Sequence, residues 1–75
     1  MSKTNLHQYA GRLWLTLDGH AIGFTEARQR LAQGDARAPI LRQYIKTERN
    51  RVRHALATER KIIPSLQRYF AEVCL

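Results

Sequence analysis

The sequence is poor in the groups that small domains use as staples. It has one cysteine, Cys74, among 75 residues, so no disulfide can form within the chain. No Cys/His set has the spacing of a structural zinc site, and His7, His20 and His54 stand far apart. No stretch approaches the roughly 20 apolar residues of a membrane span. The opening residues, MSKTNLHQYAGR, hold no apolar run of signal-peptide length. A reducing, cytoplasmic setting without membrane contact is the expectation. Gly11, Gly19, Gly23 and Gly34 never fall into a phosphate-cradling GxxxxGK[ST] loop. The six carboxylates show no pairing that would mark acid–base work, and Cys74 has no histidine near it. These gaps argue against an enzyme and against any metal or cofactor.

Acidic residues are the other shortage. Thirteen Lys and Arg face six Asp and Glu, for a net charge of +7. The excess is local: residues 1–24 and 25–38 each carry +1, and residues 39–75 carry +5. Arg outnumbers Lys ten to three. Arginine is the better bidentate donor to phosphate and guanine, and also to carboxylates. The balance predicts an acidic partner. At 44% apolar and 25% charged residues the chain belongs with folded domains rather than disordered ones.

The region from Pro39 onward organises the rest. Leu41, Ile45, Val52, Ala55, Leu56, Ile62, Ile63, Leu66, Tyr69, Phe70 and Val73 recur at three- and four-residue steps, the period of one helix face. Glu48 and Glu59 interrupt that face, which calls for a neighbouring cation or a place at the edge of the seam. Pro39 suits a first helical turn. Pro64 removes a backbone hydrogen bond and keeps Ile63 out of helical geometry, so residues 39–74 form either one helix kinked near Pro64 or two consecutive helices. Arg42, Lys46, Arg49, Arg53 and Arg60 step by four, three, four and seven along one stripe, with Arg51 and Lys61 flanking it.

Before this region the pattern changes. Residues 1–12 are polar and read as an N-terminal arm or a short helix ended by Gly11. Residues 13–24 read as a β-hairpin: Leu13, Leu15 and Leu17 alternate with Trp14 and Thr16, and Asp18-Gly19 supplies the turn. Trp14 falls on the face opposite the leucines. Residues 25–33 read as a short helix with Thr25 as N-cap and Gly34 at its end. The predicted fold is one small α+β domain, mostly α: an N-terminal β-hairpin, a short helix, then the long kinked or paired basic and amphipathic helices.

Two functions fit this reading. One is a small, dimeric, DNA-binding transcription regulator, DNA ahead of RNA. Arg42, Lys46, Arg49, Asn50, Arg51, Arg53, Arg60 and Lys61 would contact nucleic acid, and Ile62, Leu66, Tyr69, Phe70 and Val73 would form the homodimer or partner surface. The alternative is an adaptor or inhibitor that sets the same basic helix against an acidic protein surface.

Overall fold

The computed structural model describes residues 5–59 and 62–74. Three antiparallel strands come first: β1 (Leu6–Tyr9), β2 (Arg12–Leu17) and β3 (His20–Ile22), in the spatial order β1-β2-β3. Three helices follow: α1 (Phe24–Ala32), α2 (Ala38–Thr58) and α3 (Pro64–Val73). The architecture is α+β and mostly α.

Both strand connections are two-residue turns with two left-handed residues, Ala10-Gly11 (φ 54° and 77°) and Asp18-Gly19 (φ 52° and 78°). Such turns match the natural twist of paired strands. The first turn overturns the reading of an arm or short helix for the described part of residues 1–12, since Leu6–Tyr9 pair with Leu15–Arg12, while residues 1–4 lie outside the described residues. Alanine holds a turn position where Asn, Asp or Gly would have announced a hairpin. A side chain at Gly11 would run into Leu66 of α3, so this glycine serves both the turn and a close approach.

Along β2 the side chains alternate as the sequence predicts. Leu13, Leu15 and Leu17 are buried under the helices. Trp14 and Thr16 lie half-buried on the outer face. The Trp14 indole N–H donates to the Tyr9 carbonyl at 3.1 Å, so the ring lies along the sheet. Trp14 shares a pocket with Gly23, Phe24, Thr25 and Glu26 at the start of α1.

Helix α1 starts one residue before the expected point. Gly23 is its N-cap, and Thr25 sits inside the first turn, where its hydroxyl donates to Glu72 of α3 at 3.1 Å. Gly34, at φ +77°, ends the helix as expected. The link to α2 is tied by Arg37, which pairs with Asp18 of the β2–β3 turn at 2.7 Å. That contact, chiefly its hydrogen bond, holds the Asp18 carboxyl below its ordinary value.

Helix α2 is the spine. Leu41, Tyr44, Ile45, Glu48, Val52 and Ala55 are buried along one side of its 21 residues. Pro39 lies in its first turn. It stops at Thr58, and both its C-cap Glu59 and the residue before Pro64, Ile63, are extended, with ψ 130°. Proline therefore separates two helices instead of kinking one. The apolar period nevertheless resumes in phase, because α3 returns to the same core and buries Tyr69, Phe70 and Val73.

Candidate nucleic-acid interface

A carboxylate lies at the centre of the molecule. Glu48 is fully buried, the single buried charged or polar residue among those described. An unpaired charge there would cost several kcal/mol, and the surroundings complete it. Arg51 grips it with two hydrogen bonds, Nε to Oε1 at 2.6 Å and Nη2 to Oε2 at 3.1 Å. The backbone N–H of Leu13 donates to Oε2 at 3.0 Å, and the Tyr69 hydroxyl donates to the same oxygen.

The pairing pattern of β2 explains the N–H. Hydrogen-bonded and non-bonded pairs alternate in an antiparallel ladder. The backbone groups of Leu13 face the side of β3, but β3 ends at Ile22, opposite Leu15. The position that would answer Leu13 is Phe24, already in α1. Glu48 takes the orphaned N–H, and the Tyr44 hydroxyl donates to the Leu13 carbonyl at 2.6 Å. Two side chains of α2 thus stand in for a missing strand. Burial, and then the adjacent carboxylate, pushes the Tyr44 phenol far above its ordinary value. Burial and its hydrogen bond to Glu48 do the same for Tyr69.

This centre engages Arg51, whose side chain stays 24% exposed. Besides Glu48, its Nη2 donates to the Gly11 carbonyl at 2.9 Å. Arg51, expected from sequence to contact nucleic acid, has its Nε and Nη2 engaged by Glu48 and the Gly11 carbonyl. Hydrogen bonding to Glu48 raises its pKa further.

The other cations of α2 lie elsewhere. Arg42, Lys46, Arg49, Asn50 and Arg53 line a shallow groove with Leu31 of α1 and Ile45. The groove continues along α1 past Arg28, Leu31 and Ala32. Arg42, Lys46, Asn50 and Arg53 are exposed, and Arg49 is half-buried. The Arg49 Nε donates to the Val73 carbonyl at 3.4 Å, at the C-terminal end of α3, where a cation is favourable. Arg49 and Arg28 both approach the Phe24 ring, at 5.7 and 5.9 Å. Five cations therefore meet in one groove, and no carboxylate of the described residues lines it. The carboxylates of α1 and its linker, Glu26 and Asp35, pair with Arg30 at 2.9 and 3.9 Å.

Arg28 was not among the residues picked from sequence. The only signal was its place three and four residues before Leu31 and Ala32, and it takes the packing of α1 on α2 to give that spacing meaning. Arg60 and Lys61 lie outside the described residues. Tyr69, Phe70 and Val73 are buried within the single chain, which corrects their reading as a dimer or partner surface. Ile62 and Leu66 are half-buried against the same core. The apolar end of the sequence closes the chain's own core, with Arg12 stacked 4.3 Å over the Tyr69 ring.

Among the described residues no three His, Cys, Asp or Glu side chains gather as metal ligands, and no helix is long and apolar enough to cross a membrane. Comparison with protein-family models, with curated proteins and with solved structures finds no match to this chain.

Proposed function

We propose that the chain is a small nucleic-acid-binding protein that holds duplex DNA against the α1–α2 groove and acts as a regulator. The observation that carries this reading is the groove's composition: Arg28, Arg42, Lys46, Arg49 and Arg53 around an apolar floor, with no carboxylate to neutralise them. Like charges held close together without counter-charges favour a polyanionic ligand. Four of the five are arginines, suited to bidentate contact with phosphate. Helix α2 is roughly 31 Å long by the α-helical rise, and so spans several successive phosphates. Asn50 lies between Lys46 and Arg53 on the exposed side, where its amide can pair with an adenine edge.

The test is a charge reversal at two exposed positions that hold nothing else in place, Lys46→Glu with Arg53→Glu. Arg49 is left intact because it also ties α2 to α3. Affinity for random duplex DNA at low salt should drop by on the order of 100-fold, with the helical circular dichroism spectrum unchanged. A folded variant that binds like the wild type would overturn the assignment and turn the search toward an acidic protein partner.

A further inference from the structure

A second surface lies across α2 from the basic groove, beside the free edge of β1. Tyr9 and Arg12 flank the two-residue Ala10-Gly11 turn and form a bonded pair, and the Thr16 N–H donates to the Asn5 carbonyl at 2.8 Å. Alternation along the ladder then turns the backbone groups of Leu6 and Gln8 away from β2. Nothing among the described residues answers them. Next to this edge runs a depression whose floor and walls include Leu6, Leu15, Pro39, Ile40 and Tyr44. No charged side chain lines it, and Ile40 remains 45% exposed.

Edge strands are usually protected by charge, proline or a bulge. The β1 sequence, Leu-His-Gln-Tyr, has no Lys, Arg, Asp, Glu or Pro, and it pairs with β2 without a bulge. The free edge of β3 turns out only Ala21 from its three residues.

We infer that the β1 edge and its apolar depression form the self-association surface of this chain, and that the occupant is a second copy paired antiparallel through β1. The strand is self-complementary. About a two-fold axis at His7, Leu6 meets Gln8 of the second copy and Gln8 meets Leu6, so every outward N–H and C=O of both residues is satisfied. The same pairing brings Leu6 and Ile40 of each copy over the shared depression. Charge selects the face as well. Copies carrying +7 repel one another, and contact here leaves the α1–α2 grooves apart and open. A chain this small gains from the additional burial. The inference does not depend on nucleic-acid binding.

Sedimentation equilibrium of the full chain, in high salt and free of nucleic acid, tests it. The wild type should show twice the chain mass at high micromolar concentration. Gln8→Pro removes an outward donor that β2 does not use, and Ile40→Glu places like charges across the two-fold. Each should weaken association by at least about tenfold. Circular dichroism checks the fold, and if Gln8→Pro does not fold, Ile40→Glu decides alone. A monomeric wild type would overturn the inference and leave the edge to an extended segment of another protein. A dimer that persists in folded Ile40→Glu would overturn it too, by placing the contact elsewhere.

Discussion

Along α2, the flank turned toward α1 carries Arg42, Lys46, Arg49 and Arg53, whereas the flank beside β1 carries Ile40, Gln43 and Tyr44. Arg51 belongs to neither, because Glu48 and the Gly11 carbonyl absorb its guanidinium. A plain count of cations between residues 46 and 61 hides this division. Once the internal pair is subtracted, the positive charge of α2 collects on one side, and the other side is left neutral and partly apolar. One buried carboxylate thus does two things. It closes the end of a sheet that runs out of strands, and it pairs with one of the arginines of α2.

The largest expected effect comes from removing that carboxylate. Glu48→Ala strands the Leu13 N–H, the Tyr69 hydroxyl and the Arg51 guanidinium together. A loss of about 3–5 kcal/mol follows from breaking a buried pair, enough to unfold much of a small domain. Chemical denaturation would measure it. A variant as stable as the wild type would dissolve the contrast between the two flanks at its source.

A smaller and graded effect is expected at alkaline pH. Tyr44 and Tyr69 titrate above their ordinary value in the folded chain, chiefly through burial. Their stabilising contribution is therefore complete below the unfolded tyrosine value near pH 10 and is lost as pH rises beyond it. The unfolded chain then releases protons that the folded chain keeps, at about 1.4 kcal/mol per pH unit for each phenol. Unfolding midpoints should fall as pH rises above that point, and a midpoint indifferent to alkali would place these phenols in water.

The finest distinction separates two arginines two positions apart. Arg51→Ala should lower stability and leave the salt slope of DNA binding unchanged. Arg53→Ala should leave stability unchanged and reduce that slope by about 0.9, the share of one phosphate. Equal behaviour of the two variants would erase the division between internal and external cations.

Much of the fold was legible because local chemistry and the final structure agree. Asp18-Gly19 turns the chain as its sequence suggests, Gly34 ends α1, and Pro39 and Pro64 open the two later helices. Where sequence reasoning missed, the deciding partners were distant. Strand β1 escaped notice because Ala10 occupies a left-handed turn position that alanine rarely signals. Glu48 showed only as an interruption of an apolar period. Its partner Arg51 is three residues away, but Leu13 and Tyr69 are 35 and 21 residues away. The aromatic C-terminal segment read as surface for a partner because nothing local shows that α3 folds back onto α2. Arg28 joins the groove only through the packing of one helix on another.

The most direct test of the central claim is the dependence of duplex DNA affinity on salt concentration. Five groove cations that each neutralise one phosphate predict a slope of about −4.5 in a plot of log affinity against log salt. A steep slope near that value is the expected result. No binding at low salt by the folded protein, or an affinity indifferent to salt, would contradict the account.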